Sequence, residues 1–434
     1  MTRTPWGDSS ELRGRKLAPG SRLPPEEVAR NQRERLLGST VAIVAERGYD
    51  ATTVAAIVER SGVSRTAFYK HYANKEECFL AAVDATLEIA MTAVDEAYRG
   101  TEGSWEERIL AAFGAFVGQV IDQPAAARIC LVEIYGAGRE AVAHVDRSAA
   151  AFEEMLRAGY EQSASHAGPT EEVVRGIVAG IRKVLFTQLR LGEESKLPEL
   201  APALATWAGT YRTPSAPLRT TRLRSPVEPA PSATHQVDRI LEAVAAVSRE
   251  KGYGALTLDD VAERASTSFS TFYSHFRTKE DAFLASYDFA LAQAYAAALP
   301  PFQRAPDWPH AIKSALEGLL GYMARQPNLA YAAIVEVLAT GRRGMERRDN
   351  AITLFQGFLE PGFELAPDLP RVAADGIGGA IFGLLYDHLV ADRPERLPEL
   401  LPTGTFIALA PFIGADDASA IANERRRRAR IRVA

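Results

Sequence analysis

The strongest constraint on this chain is that it repeats itself. Residues 47–82 and 251–286 align without a gap at an offset of 204, and about 15 of those 36 positions are identical, more than chance gives. The first copy reads Arg47-Gly48-Tyr49, Thr53, Glu59-Arg60, Ser64, Phe68-Tyr69-Lys70-His71-Tyr72, Lys75-Glu76 and Phe79-Leu80-Ala81. The second reads Lys251-Gly252-Tyr253, Thr257, Glu263-Arg264, Ser268, Phe272-Tyr273-Ser274-His275-Phe276, Lys279-Glu280 and Phe283-Leu284-Ala285. The likeness continues more faintly. Gln123-Pro124 and Val132-Glu133 are matched by Gln326-Pro327 and Val335-Glu336, and Leu197-Pro198-Glu199-Leu200 by Leu397-Pro398-Glu399-Leu400. Two units of about 200 residues result, each long enough to bury its own core.

Between them, residues 211–234 are rich in proline, serine and threonine and carry Arg212, Arg219, Arg222 and Arg224, the composition of an extended basic linker. Residues 1–27, with Arg13, Arg15 and Lys16, read as a basic flexible arm, and 416–434, with Arg425–Arg428, Arg430 and Arg432, as a solvated arginine-rich tail. The hydrophobic share of 47% and charged share of 24% are those of an ordinary globular protein. Cys78 and Cys130 are the two cysteines and form no CxxC, which argues against a disulfide framework or zinc ribbon and fits a reducing cytoplasm. The N-terminal residues carry charges and prolines where a secretory signal needs an apolar run. No stretch of about 18 apolar residues suggests a membrane span. A net charge of −5 leaves nucleic acid open as a partner, because binding depends on where the basic charge sits.

The periodicity is helical throughout, with no alternating strand runs, so an all-α fold is expected. Val28–Arg47 and His235–Lys251 space their apolar residues by three and four and stop at Gly48 and Gly252. Longer helices are expected near 77–99, 105–122, 125–138, 143–164 and 171–192, with counterparts in the second unit. After each first helix comes a threonine able to cap a short second helix, Thr53 before Val54–Arg60 and Thr257 before Leu258–Arg264; Thr257 and Asp260 make a capping-box pattern. Gly62 suits a left-handed turn, and Ser266 at the equivalent site suits it less. A third helix starts at Ser64 or Ser268 and ends near Tyr72 or Phe276. Its apolar positions (Ala67, Phe68, Tyr72; Phe272, Phe276) can face a core, while Arg65, Thr66, Tyr69, Lys70 and His71 carry donors suited to phosphates and base edges.

A helix-turn-helix followed by Phe-Tyr-x-His-aromatic-x-x-Lys-Glu-x-x-Phe-Leu resembles the tetracycline-repressor (TetR) family of bacterial transcription regulators. The specific likeness covers residues 30–82 and 235–286. It implies two tandem units, each a three-helix DNA-binding head (28–80 and 235–285) on a helical body for ligand binding and dimerisation (81–210 and 286–415). By position, Arg65, Thr66 and Ala67 would contact bases, and Thr53, Tyr69, Lys70, His71 and Lys75 would seat the head on phosphates. In the second head the same places hold Phe269, Ser270 and Thr271, with Thr257, Tyr273, Ser274, His275 and Lys279.

Duplication allows one chain to fold as an intramolecular pseudo-dimer, although a homodimer stays open. The heads differ. Arginine at 65 can bind guanine bidentately, whereas phenylalanine at 269 offers only apolar contact. Residues 28–80 carry eight Lys/Arg and six Asp/Glu, while 235–285 carry six and eight. The second head should therefore draw less on phosphate attraction. The favoured reading is a repressor of an asymmetric operator, released by a small, largely apolar effector. The rival is an interaction protein with a degenerate second head and little operator binding.

Aromatic candidates for an effector cavity are Phe113, Phe116, Tyr135, Phe152 and Phe186 in the first body and Tyr322, Tyr331, Phe355, Phe358 and Tyr386 in the second; plain core is the commoner role of such residues. Gly376, Gly378, Gly379 and Gly383 do not complete a G-x-G-x-x-G loop, since Ile381 holds the third place, and read instead as close helix packing between the 171–192 and 371–391 helices. His144, His166, His310 and His388 share no metal-ligand spacing. Cys78 reads as buried rather than as a redox switch. Neither a cofactor nor a catalytic set is expected, and an enzyme is disfavoured.

Overall fold

The structure, a computed structural model, describes residues 2–17, 23–162, 170–219, 222, 227, 228, 230 and 235–424. It divides into two compact units, Met1–Ser163 with Ile181–Ala205, and Ala164–Gly180 with Thr206–Ala434. The division in space thus departs from the division of the repeat: the first half of one helix and the segment from Thr206 onward belong with the second unit.

In the first repeat, α1 (Pro25–Arg47), α2 (Val54–Ser61) and α3 (Arg65–His71) form the head, followed by α4 (Lys75–Gly100), α5 (Trp105–Asp122), α6 (Pro124–Leu131), α7 (Arg139–Gln162), α8 (Glu171–Leu191) and α9 (Leu197–Ala208). Side chains start these helices. Thr53 accepts from the Ala56 N–H, Ser64 from Ala67 and Asn74 from Glu77, each filling a donor that the first turn leaves without a helical partner. Pro124 breaks α5 from α6. The head has no closed core of its own. Leu36, Val44, Ile57 and Phe68 are continuous with Phe79 and Val83 of α4 and Ala126 and Ile129 of α6. Two expectations need correcting. The helix expected over 125–138 stops at Leu131 and continues as a 3-10 turn, Glu133–Ala137. The arm expected to be flexible is folded over residues 2–17: strands β1 (Arg3–Thr4) and β2 (Gly7–Asp8) make a small hairpin, and Leu12 is fully buried.

The second unit repeats the plan as α10 (Gln236–Lys251), α11 (Leu258–Arg264), α12 (Phe269–His275), α13 (Lys279–Gln303), α14 (Trp308–Arg325), α15 (Pro327–Ile334), α16 (Gly341–Gln356), α17 (Gly362–Leu365), α18 (Val372–Val390), α19 (Leu401–Ile413) and α20 (Ala415–Asn423). In this unit Gly180 of α8 lies against Gly376 of α18. A Cβ on Gly376 would stand 2.8 Å from the Trp207 ring and one on Gly180 2.5 Å from it, so glycine at both sites makes room for the fully buried indole. Tyr211 is also fully buried and donates its hydroxyl to the Ile407 carbonyl at 2.9 Å. The described part of the expected linker is therefore docked: Ser215 donates its N–H to Asp416 at 2.6 Å, and Arg219 its N–H to Asn423 at 2.7 Å. The start of the expected tail is α20, with Ala418 and Ala422 buried. Arg224, the terminal arginine run and His166 lie outside the described residues. Among the described residues no single helix is long and apolar enough to cross a membrane.

Trp207→Ala empties the slot between two glycines that cannot fill it. It should cost about 3–5 kcal/mol, read as a lower urea midpoint; a loss under about 1 kcal/mol contradicts this packing.

Candidate nucleic-acid interface and ligand cavity

Each head aims one short helix outward. On α3, Phe68 is fully buried while Arg65, Thr66 and Lys70 are exposed and Tyr69 is 54% exposed; on α12, Phe272 is fully buried while Ser270, Ser274 and His275 are exposed, Phe269 47% and Tyr273 55%. Ala67 and Thr271 are half-buried beside the caps. Exposed aromatic rings at matching places on both helices form a contact face that a self-contained fold does not need.

The supporting groups are tied into the fold. Lys75 donates to the Tyr49 carbonyl at 3.0 Å and lies 3.9 Å from that ring's centroid. Lys279 does the same with the carbonyls of Tyr253 (3.2 Å) and Gly254 (3.0 Å). Both ammoniums thus fix the turn before the second helix. His71 donates from Nε2 to Gln32 at 2.9 Å, and burial holds its imidazole below the usual range. Thr257 caps α11 and shares a 2.6 Å hydrogen bond with Asp260, so the negative charge of that carboxylate sits where the first head has Ala56.

Sequence reasoning missed a carboxylate that recurs at the head–body junction. Glu133 accepts from the Tyr49 N–H at 3.3 Å, and Glu336, itself buried, from the Tyr253 N–H at 2.7 Å. The Val-Glu pair in both repeats was the available signal. The short 3-10 turn after α6 and α15 aims this side chain at the turn between the head's first two helices.

The second unit holds a cavity of about 140 Å³ among α13, α14, α15, α16 and α18, similar to the ~150 Å³ apolar cavity that stays dry and admits benzene. Tyr322, Phe355 and Phe358 line it as expected; Tyr331 and Tyr386 do not. Much of its wall is alanine, with Ala290, Ala294 and Ala298 one turn apart on α13. Its polar side chains are Tyr287, Tyr322, Arg348 and Gln356; the Tyr322 hydroxyl meets no hydrogen-bond partner among the described residues, Arg348 is buried and paired with Asp349 at 3.0 Å, and Gln356 donates to Asp375 at 3.2 Å. In the first unit Phe116 lines a cavity of about 40 Å³. Phe113, Tyr135, Phe152 and Phe186 line neither cavity; Phe152 packs on Phe116 (5.0 Å between centroids) and Phe186 on Tyr135 (6.1 Å).

Cys78 is fully buried, and burial pushes its thiol up to about 12, so it is not a ready thiolate. Among the described residues no group of three or more His, Cys, Asp and Glu is placed to hold a metal.

The turn residues give a direct test of the head geometry. Gly62 has φ +63° and Ser266 φ +50°, both left-handed. Ser266→Gly should stabilise by about 0.5–1 kcal/mol and Gly62→Ser destabilise by about 1–2 kcal/mol in urea unfolding; a reversal of either sign would contradict the assigned turns.

The family model of bacterial regulatory proteins of the tetR family matches residues 36–82 and 240–285. A curated relative, the HTH-type transcriptional activator FasR of Mycolicibacterium smegmatis, is 30% identical over 110 residues, 25% of this chain and 50% of the relative. The chain thus spans about half the length of that relative. Among solved structures, the fatty acid degradation regulator FadR from Bacillus halodurans is 19% identical with a TM-score of 0.38, over 41% of this chain and 97% of that one. The TetR family regulator PfmR from Thermus thermophilus is 23% identical with a TM-score of 0.33, over 39% and 97%. With both copies of the helix-turn-helix matched and the same all-helical plan following each, the chain is a tandem of two TetR-family units.

Proposed function

We propose that the chain is a sequence-specific DNA-binding transcription regulator whose two heads read unlike half-sites of one operator, acting as an intramolecular pseudo-dimer and released by a small, largely apolar effector with one polar end. The observation that carries the reading is the pair of outward helices with unlike faces, Arg65 and Lys70 on one, Phe269 and Ser274 on the other. Arg65, Thr66 and Ala67 read bases in the first half-site, and Phe269, Ser270 and Thr271 in the second. Thr53, Tyr69, Lys70, His71 and Lys75, with Thr257, Tyr273, Ser274, His275 and Lys279, seat the heads on phosphates. Support for the pseudo-dimer comes from α8 and Trp207, which belong to the first repeat yet pack on α18 of the second.

The effector enters the large cavity, its apolar part along the alanine wall and its polar end toward Tyr322 and Arg348. Leu329, Ala330 and Ala333 of α15 line that cavity a few residues before Glu336, the carboxylate that holds the head's turn. A ligand that fits one position of α15 better than another therefore shifts the head, by no more than its difference in affinity for the two states.

Selection from a random duplex pool tests the reading. An unequal two-part motif is expected. Arg65→Ala should cost about 1–3 kcal/mol and relax one part only, and Lys70→Ala should weaken all sequences alike and lower the salt slope by about one. No enriched motif at low salt overturns the proposal in favour of an interaction protein.

His71 gives the pH dependence. In the free chain burial keeps its pKa below the ordinary 6.5, and a bound phosphate raises it again. Binding then takes up a proton, so affinity should rise as pH falls from the ordinary histidine value of 6.5 toward the free chain's lower one. The rise should be lost in His71→Gln; an unchanged profile removes His71 from the interface.

A further inference from the structure

The two cavities are the same place in the two repeats. Leu87, Gln119 and Cys130 line the small one where Leu291, Tyr322 and Ala333 line the large one, at offsets of 204 and 203. Bulk accounts for part of the difference in size, since Thr86 replaces Ala290 and Cys130 replaces Ala333. The rest comes from outside α4–α6. Pro5, at the tip of the N-terminal hairpin, forms part of the small cavity's wall, whereas every lining residue of the large one comes from positions 287–408.

The hairpin is held by a site built for it. Gly38 of α1 leaves the space on which Leu12 and Thr4 rest: a Cβ there would lie 2.8 Å from Leu12 Cδ1 and 3.1 Å from Thr4 Oγ1. Around this contact Asn31 donates to the Arg15 carbonyl at 3.1 Å, Arg15 pairs with Glu34 at 3.5 Å and Thr2 donates to Glu46 at 3.3 Å. In the second repeat the position of Gly38 is Glu242, whose side chain would occupy that space.

We infer that the chain takes its apolar ligand in the second repeat alone, because the first repeat's equivalent pocket is stoppered by the chain's own N-terminal hairpin. The inference rests on the effector reading above and assigns its stoichiometry: one ligand per chain, with a second, cryptic site beneath Pro5. The ligand class is a small, largely apolar molecule with one polar end, matched to a cavity of about 140 Å³.

The test is titration of the full chain with 2-naphthol, a small fluorescent aromatic with one polar end, with native mass spectrometry for stoichiometry. One equivalent is expected; Ala294→Trp, which fills the large cavity, should abolish it. Gly38→Glu, which installs the second repeat's residue, should raise it to two. A variant-free arm uses a diazirine-bearing phenol on the unmodified chain, whose cross-links should map to 287–408 and not to 83–131. Two equivalents on the unmodified chain, or cross-links in 83–131, overturn the stopper while leaving the effector reading standing. No binding by the unmodified chain or by Gly38→Glu overturns the effector reading itself.

Discussion

Each head is too small to close a core by itself, and the rest of the structure follows from how it borrows one. In the first unit, Leu36, Ile57 and Phe68 share a single apolar cluster with Phe79 of α4 and Ile129 of α6. A fold of some fifty residues buries too small a share of its surface to stand alone with comfort. Packing on the body supplies the missing burial, and the Glu133 and Glu336 hydrogen bonds fix the angle at which the body holds the head. On the effector proposal, the same contacts that stabilise a head are the route by which a ligand in the body reaches it.

The repeats have diverged at few positions with large consequences. Gly38, on which the hairpin rests, stands where the second repeat has Glu242, and on the proposed reading Arg65 against Phe269 sets what each outward helix contacts. Alanines along α13 open a cavity where bulkier residues and Pro5 narrow its counterpart. One repeat has the more basic head and the smaller pocket, and the other has the larger pocket and the more acidic head. Such a division of reading and sensing is open to a tandem chain and closed to a symmetric pair of identical ones.

The heads were legible because their signals are local. Thr53, Ser64, Thr257 and Ser268 cap the helices as their spacing suggests, and Gly62 and Ser266 both take left-handed turns. The hairpin was not legible, because burial of Leu12 depends on a glycine 26 residues away whose role appears only in three dimensions. Nor was the 3-10 turn, since apolar spacing runs on through Val132 and Ile134. Aromatic spacing points to Tyr322, Phe355 and Phe358 but not to Tyr287 and Phe382, and most of the wall is alanine, leucine and isoleucine that reads as plain core. Arg348 was missed because it follows Arg342, Arg343 and Arg347, a run that reads as solvated charge.

A pseudo-dimer of the proposed kind needs only one chain to occupy one operator with two unlike heads. The molar mass of the complex on a duplex bearing the full selected site measures this most directly. The expected mass is that of the duplex plus a single chain of 47.1 kDa, at protein concentrations that saturate both halves of the site. Two chains on one duplex, with the same head of each in contact, would contradict it.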